Sequence, residues 1–121
     1  MASQRVVSVV DDDDSVRESM TELLRVCGFA VQAFASAEDF LASGRAVDTQ
    51  CVILDVAMPG MSGPELYSEL IRRGQNVPTI FITAVRDESL RQHLLGQGAL
   101  ELLYKPFSEA ALLRALERIA P

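Results

Sequence analysis

Short apolar runs in this chain alternate with longer segments in which apolar residues recur every three or four positions. The short runs are Val6–Val10, Ala30–Phe34, Cys51–Leu54, Thr79–Thr83 and Leu100–Tyr104. Runs of this length, rich in β-branched residues and bounded by turn residues, predict β-strands. Because most of them lack polar residues on alternate positions, we expect strands that are buried on both faces.

The segments between these runs begin and end with helix signals. Each starts at a serine or an aspartate, and the first four end at or beside a glycine. Either Asp13 or Asp14 is expected to cap the first helix. The predicted helices are Ser15–Cys27, the segment from Ser36 to Gly44, the segment from Ser62 to Gly74, roughly Asp87–Gln97, and the segment that follows Ser108.

Strands that alternate with helices predict an α/β fold, with a parallel sheet and helices on both of its faces. Each crossover between parallel strands should be right-handed. The length of 121 residues fits one domain. We therefore interpret residues 1–121 as a single domain, and any C-terminal effector domain would lie outside this chain.

Composition and charge narrow the classes of function. The chain is 49% hydrophobic and has a net charge of −6, which predicts a folded domain that repels nucleic-acid backbones. It has neither an apolar stretch of the ~20 residues that a membrane span needs nor an N-terminal signal segment, so we expect a cytoplasmic location. Cys27 and Cys51 are then expected to be reduced and buried as small apolar side chains.

Charged residues stand directly after three of the predicted strands. Asp11 and Asp12 follow the first strand, Asp55 follows the third and Lys105 follows the fifth. The carboxyl ends of parallel strands meet at one rim of the sheet, where ligands bind. Carboxylates held close together repel one another, so a cation with oxygen ligands is expected there. Octahedral Mg²⁺, bound by two carboxylates and a backbone carbonyl, suits this pattern.

Simpler explanations exist for single residues of this set. A helix cap and a solvated loop account for Asp13 and Asp14, but less well for the two acids that directly follow a buried strand. Lys105 alone could be a surface lysine at a turn. Thr83, at the end of the fourth strand, could simply favour the strand conformation, or its hydroxyl could serve as a donor at the rim.

The combined pattern resembles the receiver domain of two-component response regulators. The matching stretches are Val10–Asp12 with Arg17, Ile53–Asp55 with the segment 58–63, Ile82–Ala84, and Tyr104–Phe107. The acidic start and the segments 36–41 and 58–63 are most similar to receivers that precede a LuxR-type helix-turn-helix domain. The resemblance implies a flavodoxin-like fold, which is a doubly wound, five-stranded parallel sheet with strand order 2-1-3-4-5.

The resemblance also implies a role for each site residue. Asp55 would be phosphorylated by a sensor histidine kinase or a phosphotransfer protein. Asp12, Asp55 and the backbone carbonyl of Ala57 would bind Mg²⁺, with Mn²⁺ as a substitute, and Asp11 would act mainly through a coordinated water. The remaining two residues, Thr83 and Lys105, would each contact a phosphoryl oxygen.

The implied function is a phosphoacceptor switch in transcription regulation, in which phosphorylation changes the surface for homodimerisation or effector control. The domain is expected to bind neither nucleic acid nor membrane directly. Such a domain is not an enzyme, apart from catalysing its own phosphorylation and dephosphorylation.

One position departs from the family pattern. Leu102 stands three residues before the lysine, where the family often has a tyrosine or phenylalanine, and Tyr104 is adjacent to the lysine.

Three other functions are compatible with the fold class. A flavin-binding protein would need a phosphate-binding loop after the first strand, where this chain has four aspartates. A phosphatase with an aspartyl nucleophile would need a carboxylate two residues after it, where this chain has Ala57. A protein-interaction module that keeps the receiver fold without phosphorylation is the remaining alternative.

Overall fold

The structure is a computed structural model that describes residues 5–119, in which five β-strands alternate with five α-helices. The strands are β1 (Val6–Val10), β2 (Ala30–Phe34), β3 (Cys51–Asp55), β4 (Thr79–Thr83) and β5 (Glu101–Tyr104). The helices are α1 (Asp14–Val26), α2 (Ala37–Ser43), α3 (Gly63–Arg72), α4 (Glu88–Gly96) and α5 (Glu109–Leu116), and a 3₁₀ turn covers Arg45–Asp48. All predicted elements are present, with ends that differ by one or two residues.

The five strands form one parallel sheet in the order β2-β1-β3-β4-β5. One apolar core packs α2, α3 and α4 against one face of the sheet, and a second packs α1 and α5 against the other. The prediction of a doubly wound sheet is therefore confirmed. Because the chain order reverses between β1 and β3, a crevice opens at their carboxyl ends.

Helix α1 begins next to this crevice, and its cap accounts for one of the four consecutive aspartates. The Asp13 carboxylate accepts hydrogen bonds from the backbone N–H groups of Ser15 and Val16, at 2.9 and 3.1 Å. This contact satisfies donors that no helical carbonyl can reach. Asp13 is therefore the cap, which leaves Asp11 and Asp12 outside the helix.

The prediction that both cysteines are buried is wrong for Cys27. Both thiols are free, but Cys27 is exposed and only Cys51 is buried. Helical spacing had placed Cys27 on the apolar face of α1, but the helix ends at Val26 and the chain turns at Gly28, whose φ is 95°. Once the helix has ended, its periodicity no longer directs the side chain toward the core.

The connection from β3 to α3, residues 56–62, folds back tightly on the end of β3. The N–H of Gly63 donates to the carbonyl of Val56 at 3.1 Å. A Cβ atom on Gly63 would lie 2.3 Å from the backbone oxygen of Asp55. Only glycine fits at this position, because a backbone atom cannot move aside as a flexible side chain can.

We predict that Gly63→Ala destabilises the protein by ~1–3 kcal/mol or more, since overpacking against backbone forces a shift of the chain. Gly96→Ala is the matched control, because it also lies in a helix and a Cβ there meets no atom within 4 Å. The free energy of unfolding of the control should stay within ~1 kcal/mol of the wild-type value. Urea unfolding of the three proteins measures both values, and equal costs would contradict the prediction.

Candidate functional site

Three carboxylates meet at the carboxyl ends of β1 and β3, and we call Asp11, Asp12 and Asp55 the acidic centre. One oxygen from each lies within 4.8 Å of the others. Asp11 and Asp55 are buried, whereas Asp12 is exposed. The parallel pairing of β1 with β3 puts the two strand ends side by side. The sequence prediction that these acids converge is therefore confirmed.

Lys105 brings a positive charge into the acidic centre. Its Nζ lies 3.3 Å from Asp11 Oδ2 and 3.6 Å from Asp55 Oδ1. Its backbone N–H donates to the carbonyl of Thr83 at 2.7 Å, which ties the end of β5 to the end of β4. Half-buried ion pairs of this kind are screened less by water than surface pairs are. Lys105 therefore offsets part of the repulsion between Asp11 and Asp55.

The backbone around Asp11 is fixed from several sides. Asp11 Oδ1 accepts from the N–H of Asp13 at 2.9 Å, and the Asp11 N–H donates to the carbonyl of Phe34 at 3.1 Å. The Arg17 guanidinium donates to the Asp11 carbonyl at 2.7 Å and also pairs with Asp14. Arg17 thus anchors the loop that carries the first two acids, a role that the sequence pattern left unassigned.

Burial is the main cause of an unusual proton affinity at Asp55. Desolvation, followed by the negative charge of Asp11, raises the pKa of Asp55 from 3.8 to about 6. Lys105 and a hydrogen bond from the N–H of Ala57 lower the pKa, while Asp12 raises it. The raising influences prevail because burial disfavours the charged form. A bound cation at the same place would favour the ionised carboxylate.

The acidic centre fits a hard divalent cation. Its donors are all carboxylate oxygens, which are the ligands that Mg²⁺ prefers. Three ionised carboxylates and one ammonium leave a net negative charge that a divalent ion would neutralise. Ligand oxygens of an octahedral Mg²⁺ lie about 3 to 4.2 Å apart, and the three carboxylate oxygens, which lie within 4.8 Å of one another, are near that range.

The structure places the other predicted site residues around this centre. Thr83 is 4% exposed at the end of β4, and its hydroxyl oxygen accepts from the N–H of Val85 at 3.2 Å. Ala57 is exposed and lies two residues beyond Asp55, whose carboxylate it contacts through its N–H. The specific roles inferred for the Thr83 hydroxyl and the Ala57 carbonyl remain predictions.

Leu102 and Tyr104 lie on the same face of β5, as their spacing predicts. Leu102 is buried in the core beneath α4, and Tyr104 packs at the edge of that core. The Arg86 guanidinium lies 4.7 Å from the centre of the Tyr104 ring, and the Tyr104 hydroxyl donates to Glu88 at 3.2 Å. Tyr104 therefore contacts the connection from β4 to α4 and the first residue of α4, whereas Leu102 is held in the core.

A doubly wound sheet with a carboxylate cluster and a lysine at its carboxyl rim defines a class of α/β proteins with an acidic, cation-binding site. The sequence profile of the response regulator receiver domain matches residues 7–117. The chain therefore belongs to the response regulator receiver domain family. Receiver domains bind Mg²⁺ at an acidic pocket, and Asp11, Asp12 and Asp55 form such a pocket here.

The chain is similar to several transcriptional regulators. It is 44% identical over 110 residues to the transcriptional regulatory protein FixJ of Azorhizobium caulinodans, covering 91% of this chain and 52% of that protein. It is 40% identical over 115 residues to nodulation protein W of Bradyrhizobium diazoefficiens, covering 95% of this chain and 51% of that protein. The chain thus spans about half the length of these curated relatives.

Solved structures agree with this assignment. The response regulator StyR superposes with a TM-score of 0.88 at 45% identity, covering 96% of this chain and 59% of that one. The crystal structure of FixJ-N superposes with a TM-score of 0.85 at 36% identity, covering 97% and 94% respectively. Within residues 5–119, the helices are all too short or too polar to cross a bilayer.

We predict that metal-free protein becomes less stable, relative to Asp55→Asn, as the pH rises through about 6. The pKa of Asp55 is higher in the folded state, so folding favours the protonated carboxyl and its ionisation opposes folding. Urea unfolding of both proteins in a metal chelator, between about pH 4 and 7, measures the difference in the free energy of unfolding across the range from the unfolded pKa of 3.8 to the folded pKa of about 6. A difference that is independent of pH would contradict this assignment.

Proposed function

We propose that this domain is a phosphoacceptor signalling switch. A sensor histidine kinase or a phosphotransfer protein would phosphorylate Asp55 with the help of Mg²⁺, and the change in surface would serve transcription regulation. The domain would catalyse only its own phosphorylation and dephosphorylation, and so would not be an enzyme acting on other substrates. The observation that carries this proposal is the Asp55 carboxylate in the acidic centre, 3.6 Å from the Lys105 ammonium.

The geometry suits transfer of a phosphoryl group to Asp55. One oxygen of its carboxylate would attack phosphorus as the bond to the donor histidine nitrogen breaks, and the bonding electrons would stay on that nitrogen. Phosphoryl transfer depends mainly on alignment and on neutralising charge. The Lys105 ammonium is placed to pair with a phosphoryl oxygen, and the Thr83 hydroxyl lies at the adjacent strand end to donate to another.

Asp12, Asp55 and the carbonyl of Ala57 would hold the Mg²⁺ directly, and Asp11 would act mainly through water. Asp11 suits the outer position because its carboxylate already contacts Lys105 and the N–H of Asp13. The metal, when bound, supplies positive charge against the oxygens of the transferred group. Mn²⁺ has similar ligand preferences and would serve as a substitute.

The surface expected to respond is formed by α4, β5 and α5. Thr83 and Lys105 lie at the strand ends next to it, and phosphorylation adds a charge of about −1.5 to −2 there. The Glu101 carboxylate links this surface internally through Arg91 at 2.8 Å and Arg118 at 3.8 Å. We infer that phosphorylation promotes a homodimer through this surface, which sedimentation velocity with and without a phosphodonor would test.

Phosphorylation itself is tested with acetyl phosphate and Mg²⁺. Intact-protein mass spectrometry should show one added phosphoryl group on the wild type and none on Asp55→Asn, because the amide is a poor nucleophile. Asp14→Asn removes an exposed carboxylate outside the acidic centre and is the control. Equal labelling of Asp55→Asn would refute the assignment. A folded wild type that cannot be labelled by acetyl phosphate or a kinase would favour the interaction module.

We further predict that Mg²⁺ raises the melting temperature, since a ligand that binds only the folded state stabilises it. Asp12→Asn should reduce this gain, with Kd for Mg²⁺ rising roughly tenfold or more. Asp13→Asn is the matched control, because it removes the same charge next door while asparagine remains a good helix cap. If both variants weaken binding equally, the acids form only a diffuse negative patch.

A further inference from the structure

Glu38, in the first turn of α2, contacts a part of the chain that is 23 residues away. Its Oε2 accepts a hydrogen bond from the backbone N–H of Met61 at 3.0 Å. Met61 belongs to the connection of residues 56–62 that links β3 to α3 and carries Ala57. Glu38 is exposed and lies outside the acidic centre. Its contact is therefore with the loop beside the site and not with the site itself.

The connection is shaped to receive this carboxylate. A Cβ atom on Gly60 would lie 2.5 Å from Glu38 Oε2, so the oxygen rests directly above the glycine backbone. Gly60 also has a φ of 74°, which side-chain-bearing residues rarely adopt. Because Gly60 has no side chain, Glu38 Oε2 can approach its backbone closely and accept the hydrogen bond from the N–H of Met61.

Other contacts hold the rest of the connection. The N–H of Gly63 donates a hydrogen bond to the carbonyl of Val56, and the Met58 side chain is buried in the core. At the acidic centre, the backbone N–H of Ala57 is close enough to the Asp55 carboxylate to lower its pKa. Among the described residues outside β3, Glu38 is the side chain that hydrogen-bonds to residues 57–61. Glu38 therefore adds a directed hydrogen bond to the outer turn, where the Met61 side chain also packs against the core.

We propose that Glu38 is a positioning residue for the acidic centre. By holding Gly60 and Met61, it fixes the direction in which Ala57 presents its N–H to Asp55 and its carbonyl to the cation. This inference rests on the proposed Mg²⁺-dependent function. Groups that orient metal ligands typically change metal affinity by 10- to 100-fold. Because the buried Met58 still anchors the connection, we expect the low end of that range.

Two conservative variants separate position from charge. Glu38→Gln keeps an oxygen acceptor at the same reach but loses the charge, whereas Glu38→Asp keeps the charge but is one methylene too short for Met61. Kd for Mg²⁺, measured by titration calorimetry, should rise roughly tenfold in Glu38→Asp and stay near the wild-type value in Glu38→Gln. Asp39→Asn and Asp39→Glu, at the exposed neighbouring position, are the matched controls and should bind normally.

Amide hydrogen exchange in the metal-free proteins gives a second readout. Exchange at Met61 should speed up in Glu38→Asp and remain slow in Glu38→Gln, and the melting temperature without metal should be similar in both. The opposite ranking of Mg²⁺ affinities, or equal weakening in both variants, would show a charge effect and overturn the inference. Unchanged affinity in Glu38→Asp would overturn it too. Failure of the proposed function would differ, because the wild type would then not bind Mg²⁺ at all.

Discussion

Two buried carboxylates, Asp11 and Asp55, share one ammonium group, that of Lys105, at the carboxyl ends of three parallel strands. Charges of like sign are costly to bring together in a poorly hydrated place, and one lysine does not balance them. Burial of Asp55, and next the negative charge of Asp11, raise the pKa of Asp55. A site that is short of positive charge attracts a cation, and the oxygen ligands restrict that cation to a hard one.

The fold holds this unfavourable arrangement by fixing the backbone on both sides of it. The Arg17 guanidinium donates a hydrogen bond to the carbonyl of Asp11. Because Gly63 has no Cβ, α3 can begin in close contact with the backbone at the end of β3. Both contacts involve backbone atoms, so the carboxylates cannot simply move apart to relieve their repulsion. The buried cores on the two faces of the sheet keep the strand ends in register. The free energy gained by packing the two cores thus offsets the repulsion between the carboxylates at the carboxyl ends of the strands.

Much of this architecture was predictable from sequence, because strands and helices in a doubly wound sheet have different apolar periods and clear end signals. The convergence of Asp11, Asp55 and Lys105 followed from the rule that parallel strands share a carboxyl rim. Cys27 was misplaced because it is the residue directly after α1, where helical periodicity no longer sets the direction of a side chain. The Glu38 contact with Met61 was missed because it joins residues 23 positions apart on the exterior of the domain. No local pattern encodes such a contact.

The contact of Arg86 with the Tyr104 ring has a spectroscopic consequence. The chain has two tyrosines and no tryptophan, so its tyrosine emission, which no tryptophan obscures, comes from Tyr67 and Tyr104. Tyr67 lies on α3 and is buried, and the centre of its ring is 5.4 Å from that of Phe81 on β4. Tyr104 instead precedes Lys105 and contacts two charged groups, Arg86 before α4 and Glu88 at the start of α4. The domain thus has one fluorescent tyrosine in its core and one beside the acidic centre. The fluorescence of Tyr104 should therefore respond to changes at the acidic centre without an added label.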